Sequence, residues 1–331
     1  MVSENAFDSQ VDIGSIPQQK LLEDGRLFPF VLQQRSPVDI SSWASANKDR
    51  LKMLLKDQGA IMFRGFPMET PSDLQCLAEA LDVEPLPYVG GAAPRITIYK
   101  DVHTTNESPP EKLIPFHHEM AQVPTYPQTL FFFCQQPPME GGETPLLLSD
   151  VIYSRIAEHY PQFVSDLEEK GIVYTRVIPK HDDPDSPIGR GWINTFNTDD
   201  KQVAEKAADK LNVTLEWLED GNVRTISPVL PAVKTIGKLG KKVWFNSLIA
   251  AYVGWEDSRN DRRRAVTFGD GTLLDEEIIK GCMALMQESC VAVPWQKGDV
   301  FWIDNNQCMH SRNAFKPPRR ILAFLGKNCV Y

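Results

Sequence analysis

Between Leu27 and Phe66 the spacing of apolar positions changes twice. LFPFVLQ (27–33) and AIMFRGF (60–66) are short apolar runs of strand length. Between them SSWASANKDRLKMLLKDQG (41–59) places its apolar residues three and four apart and stops at Gly59, which predicts a helix. A second helix is predicted over SDLQCLAEAL (72–81), with Ser72 as its N-cap. Residues 83–115 then hold six prolines and an adjacent pair of glycines around the short strand RITIYK (95–100). A connection of that length signals a binding segment or lid.

Further along, TLFFFCQQ (129–136) is a continuous apolar run of buried-strand length. The turn PPMEGGET leads through PLLLS into helical text from Asp150 to Lys170, stopped by Gly171. VYTRVIPK reads as a strand and DKQVAEKAADKLN as a helix. Residues 223–248 read as strands broken by turns, with KLGKK the tip of a hairpin between AVKTI and VWFNSL. The helix DEEIIKGCMALMQES and the strands GDVFWIDNN and RRILAFLG complete the chain. Strands flank a helix-rich middle without the alternation of a doubly wound sheet. The expected fold is therefore mainly β with α (α+β). It is one domain over 1–331, a sandwich or barrel with helices packed outside and a helix-rich insert around 150–220.

Composition narrows the partners more than the fold. The 331 residues are 42% hydrophobic and 24% charged, an ordinary globular mixture. A net charge of −9 argues against nucleic acid and against anionic membrane surfaces, both of which select a basic face. The run Arg262-Arg263-Arg264 lies among Glu256, Asp257 and Asp261 and reads as a solvated loop. Neither the polar start MVSENAFDSQVDIGS nor any later stretch has the apolar length of a signal or membrane span. Cys76, Cys134, Cys282, Cys290, Cys308 and Cys329 form no C-x-x-C pair and read as reduced thiols. A cytoplasmic protein with a small-molecule substrate is the expectation.

The chemistry starts at FHHEM (116–120). On an extended strand, residues two apart share a face, so His117 and Glu119 converge while His118 turns away. His-x-Glu is two-thirds of the facial triad that holds non-haem Fe(II) and leaves coordination positions open. Of the other histidines, His159 lies in helical text, His181 opens a turn-rich loop, and His103 sits in the long loop where it could approach a substrate. His310 differs: it follows the β-rich GDVFWIDNNQCM and precedes Arg319 and Arg320 on the next strand. An iron and 2-oxoglutarate site needs that layout, because the far carboxylate of the keto acid takes a planar, permanently charged partner.

From about residue 55 to about residue 326 the chain resembles the taurine dioxygenase and clavaminate synthase group of Fe(II)/2-oxoglutarate-dependent oxygenases, through FHHEM, GGET, VWFN and GDVFWIDNNQCMHSRNAFKPPRRILAF. The resemblance implies a double-stranded β-helix, or jelly roll. It assigns His117, Glu119 and His310 as ligands of Fe(II), with Thr144 and Arg320 as partners of the 2-oxoglutarate carboxylate. Arg319 becomes a surface or supporting residue, and Arg312 the runner-up to Arg320. The implied reaction consumes O2, releases succinate and CO2, and hydroxylates or desaturates a small polar, amino-acid-like molecule. Glu119 disfavours halogenation, since related halogenases replace that carboxylate by a small residue. Phe324 stands where taurine dioxygenase carries a sulfonate-binding arginine, which disfavours a sulfonate. Trp244, Phe245, Asn246, Tyr99 and His103 are candidates for the substrate pocket. Competing readings are a non-catalytic jelly-roll metal-binding or sensor protein and a cupin-like metal hydrolase. Neither requires the arginine and threonine as well.

Overall fold

A computed structural model describes residues 7–88, 95–106, 108–186, 188–237 and 240–327. Lys238 and Leu239 of the expected hairpin tip, the first six residues and Cys329 fall outside them. The dominant element is an eight-stranded sheet with the order Val11–Ile13, Phe30–Gln34, Ala60–Arg64, Val300–Asp304, Thr129–Gln136, Arg320–Gly326, Val102–Thr104, Thr97–Tyr99. Phe30–Gln34 and Ala60–Arg64 run parallel, joined by the helix Ile40–Gln58; the other neighbours are antiparallel. A second, three-stranded sheet orders Leu146–Leu148, Cys308–Arg312 and Ile114–His117. The result is a mixed α/β architecture built around one large sheet.

Strand alternation assigns each face of the large sheet its own core. Leu130, Phe132 and Cys134, with Phe301, Ile303, Ile321, Ala323 and Leu325, pack against Leu146, Leu148 and Cys308 of the small sheet. The two sheets therefore face one another across this layer. The intervening residues Phe131, Phe133, Trp302, Leu322 and Phe324 point the other way, onto Trp43, Leu51, Leu55, Leu74 and Leu77 of the first two helices. Phe131 stacks on Trp302 at 5.4 Å, and the Trp302 indole donates to the Thr129 hydroxyl. The outer face of the small sheet, Phe116, Leu147 and Met309, is covered by Ser149–His159, Pro161–Lys170, Leu248–Gly254 and Glu276–Ser289.

Several expected boundaries shift for identifiable reasons. The helix Pro71–Ala80 is capped by Thr70, not Ser72: Pro71 takes the first turn, where no N–H is needed, and Thr70 and Asp73 close a capping box. The single helix expected over 150–170 is two, broken at Tyr160, because Pro161 lacks the N–H that would continue the first and instead begins the second. The segment 95–104 forms two short strands, Thr97–Tyr99 and Val102–Thr104. The short helix Leu248–Gly254 begins at the last residue of the strand text VWFNSL and is not among the expected elements, its apolar run being too short for periodicity to identify. Cys76, Cys134, Cys282, Cys290 and Cys308 are free thiols.

Candidate metal centre

His117 and His310 lie directly opposite one another on neighbouring strands of the small sheet, their rings 4.3 Å apart and both turned toward the large sheet. Phe132, from the large sheet, packs on the His310 ring at 4.9 Å. The strand ends at His117, so Glu119 is delivered by irregular backbone rather than by continued alternation. Two features hold it: Met120 adopts a left-handed φ of 57°, and Asn305 clamps the Glu119 backbone. The Asn305 side chain accepts from Glu119 N–H at 3.0 Å and donates to the Glu119 carbonyl at 3.0 Å and the Pro127 carbonyl at 2.7 Å. Ligand atoms of His117, Glu119 and His310 come within 4.8 Å of one another.

The protonation states suit a cation. His117 Nδ1 donates to the Pro115 carbonyl at 2.8 Å, which leaves the Nε2 lone pair bare. Burial, reinforced by His310, pushes the His117 ring down to about 4, so it is neutral at physiological pH. Burial pushes Glu119 up, but Arg95 and the two imidazoles outweigh it and hold the carboxyl well below the usual carboxylate range. Arg95 donates to Glu119 Oε1 at 2.8 Å, while Oε2 faces His310 Nε2 at 3.6 Å. His310 Nδ1 is buried without a partner among the described residues. Two imidazoles and one ionised carboxylate converging on one point form the donor set that divalent iron takes.

His118 serves the fold. It is fully buried on the opposite side, its Nδ1 donating to the Asn305 carbonyl at 2.5 Å. Its Nε2 lies between the Trp244 carbonyl at 2.8 Å and the Ser149 hydroxyl at 2.9 Å. Burial outweighs the two carbonyls, which favour the charged ring, and pushes it down to about 3. His118→Ala is expected to cost about 3 kcal/mol of stability through the cavity and the orphaned carbonyls. A denaturation midpoint matching wild type would contradict this.

Both rings carry a pH signature. A histidine with its folded value below the ordinary value of about 6.5 binds fewer protons folded than unfolded. Its stabilising contribution is complete above that value and is lost as pH falls through the window down to about 4 for His117 and about 3 for His118. In the metal-free protein each ring should withdraw about 2 kcal/mol by about pH 5. Urea midpoints at about pH 7.5 and about pH 5 read this directly; equal midpoints would count against the burial argument.

Above the triad lies a cavity of about 150 Å³ whose lining includes Thr144, Arg319, Arg95 and Phe132. GGET builds one wall. Gly141 and Gly142 both have φ of 68°, and a Cβ on Gly141 would lie 2.3 Å from the Ala314 carbonyl oxygen. That turn presents the Gly142 carbonyl to Arg319 Nε at 2.9 Å and sets the buried Thr144 hydroxyl 3.4 Å from Arg319 Nη2.

The structure thereby corrects the terminal register. Arg320 is exposed at the start of the strand and does not line the cavity, whereas Arg319 enters it. The pairing with Thr129–Gln136 shifts between Arg320 and Ile321, so alternation cannot be extrapolated across that point. Burial, and secondarily Arg312, lowers the Arg319 guanidinium to about 10. Phe324 is likewise too far round to meet a substrate: it is buried edge-on against Phe131. The residue four beyond Arg319 is Ala323, on the inner face.

The remaining candidates separate cleanly. Arg312 donates to the carbonyls of Ser108, Pro109 and Lys112 at 2.6–2.8 Å, pinning the loop that supplies Thr105, Asn106 and Ser108 to the cavity. Trp244 and Phe245 are core residues, and the Asn246 amide bonds Ala232 and Leu248 backbone. His103 contacts the Thr97 hydroxyl outside this cavity, and Tyr99, His159 and His181 are exposed. Asn305 and Arg95 were missed; Asn305 sits in the WIDNN text already singled out, and Arg95 heads the strand RITIYK.

Comparison with known proteins gives concordant results. The profile described as "Taurine catabolism dioxygenase TauD, TfdA family" matches residues 24–324. A clavaminate synthase-like protein of Arabidopsis thaliana is 50% identical over 321 residues, covering 94% of this chain and 97% of its own. A dapdiamide synthesis protein of Enterobacter agglomerans is 27% identical, covering 81% and 82%. In fold, the chain is similar to PvcB of Pseudomonas aeruginosa, with a TM-score of 0.51, 14% identity and coverage of 98% and 94%. A second PvcB structure is titled as an Fe, alpha-ketoglutarate dependent oxygenase from an isonitrile synthetic pathway.

Proposed function

This chain belongs to the taurine catabolism dioxygenase family, and on that premise we propose that it is an Fe(II)- and 2-oxoglutarate-dependent dioxygenase. Its substrate is a small polar, amino-acid-like molecule, hydroxylated or desaturated with release of succinate and CO2. The convergence of His117, Glu119 and His310 beneath a cavity that also receives Arg319 and Thr144 carries this reading. The facing sheets are the halves of a jelly roll.

When bound, Fe(II) and 2-oxoglutarate supply O2 activation coupled to oxidative decarboxylation of the keto acid. The protein's residues do the rest. His117 and His310 present Nε2, the first fixed by Pro115. Glu119 offers Oε2 while Arg95 occupies Oε1, which favours one-oxygen ligation. Arg319, aimed by the Gly142 carbonyl, and Thr144 seat the distal carboxylate of the keto acid. A sensor or a metal hydrolase has no use for that buried arginine and hydroxyl. Ala323 and Phe324 offer no cation where a sulfonate would need one, and the dapdiamide synthesis relative supports amino-acid chemistry. Oxygen-dependent succinate release from 2-oxoglutarate by the iron-loaded protein tests the proposal; iron-loaded protein that leaves 2-oxoglutarate unchanged in air would refute it.

A further inference from the structure

In a chain of net charge −9, the cavity above the triad is basic: its described lining holds Arg95, Arg312 and Arg319 against the single carboxylate Glu119. Arg312 is committed to backbone carbonyls and Arg319 to the Gly142 and Thr144 corner. Arg95 is only partly committed. Its side chain is 6% exposed, and while it bonds Tyr88 and, through Nη2, Glu119 Oε1 at 2.8 Å, Nε and Nη1 have no hydrogen-bond partner among the described residues. Leaving guanidinium N–H groups buried and unbonded is costly, and Arg95 leaves two of them in this cavity where Arg312 leaves only Nε, so Arg95 is the better placed to meet an acceptor that arrives later.

The charge balance identifies that acceptor. A divalent ion and the doubly charged keto acid cancel, leaving the three arginines against Glu119. Glu119, moreover, shares its charge with the ion, so Arg95 loses most of its counter-charge when the site is loaded. A second guanidinium stands close by: Arg95 lies 4.4 Å and Arg190 5.2 Å from the centre of the Tyr88 ring. Burial first, and Arg95 among the later causes, lowers the Arg190 guanidinium, as expected where like charges crowd together.

We propose that Arg95 docks a carboxylate of the primary substrate, through the guanidinium nitrogens that Glu119 leaves unused. The substrate is thus a small carboxylic acid, and its anionic end lies beside Glu119, within reach of the metal. This rests on the oxygenase reading for the cavity being a substrate cavity, and extends it by naming the group that is recognised.

The test uses Mn(II) in place of iron to prevent turnover, with saturating 2-oxoglutarate and no oxygen. Calorimetric titrations compare amino acids and N-acetyl amino acids, each with its C-terminal amide, and taurine as a sulfonate. At least one free acid should bind about tenfold or more tighter than its amide. Arg95→Gln should bring that acid to the level of its amide, and Arg95→Lys should restore part of the preference. Acids that bind no better than amides, silence across the set, Arg95-dependent binding of taurine alone, or an undiminished preference in Arg95→Gln would each overturn the inference. So would loss of Mn(II) affinity in Arg95→Gln with the acid preference intact, since Arg95 would then act only by positioning Glu119. Failure of wild type to bind Mn(II) or 2-oxoglutarate would instead refute the oxygenase reading.

Discussion

Arg319→Ala lowers the affinity for 2-oxoglutarate by about two to four decades, whereas Arg320→Ala leaves it nearly unchanged. The basis is placement: Arg319 enters the cavity and meets Gly142 and Thr144, while Arg320 is exposed at the start of the strand, outside the cavity lining. Withdrawing the charged partner of a buried carboxylate costs about 3–5 kcal/mol. Thr144→Ala removes only a neutral hydroxyl and falls between, at about 1–3 kcal/mol. Iron binding should persist in all three variants. Anaerobic equilibrium binding of the keto acid reads the order, and an Arg320→Ala variant more damaged than Arg319→Ala would reject the register described here.

The second large effect is on the metal. His117→Ala, Glu119→Ala and His310→Ala should each weaken Fe(II) binding by about two decades or more, since each removes one of three protein donors to a cation that retains its others. His118→Ala should hold the metal far better than any of them, its ring being spent on Asn305, Trp244 and Ser149. Anaerobic Fe(II) titration of the four variants compares them under one condition. Equal loss in His118→Ala and His117→Ala would mean that the two rings do not face opposite ways.

The spacing and length of apolar runs located most strands and helices: Thr129–Gln136, a continuous apolar run because both of its faces are buried, has the bounds read from its sequence. Alternation divided His117 from His118. It placed Glu119 correctly for an incomplete reason, as the strand stops at His117 and the Asn305 clamp does the rest. The arginine register was not legible. RRILAFLG states which residues share a face but not which face looks inward, and the shift beside Arg320 interrupts the alternation where it was needed. Arg95 carried no sequence signal either, because its partner Glu119 is a contact made by the fold rather than by spacing.

The most direct test of the iron and keto-acid site is anaerobic absorption spectroscopy of the Fe(II)-loaded protein titrated with 2-oxoglutarate. Direct chelation of the iron by the keto acid should produce a visible charge-transfer band that saturates in proportion to bound iron. In Arg319→Ala the same band should appear only at about a hundredfold or more higher keto acid. An iron-loaded wild-type protein that develops no such band at any concentration of 2-oxoglutarate would contradict the account.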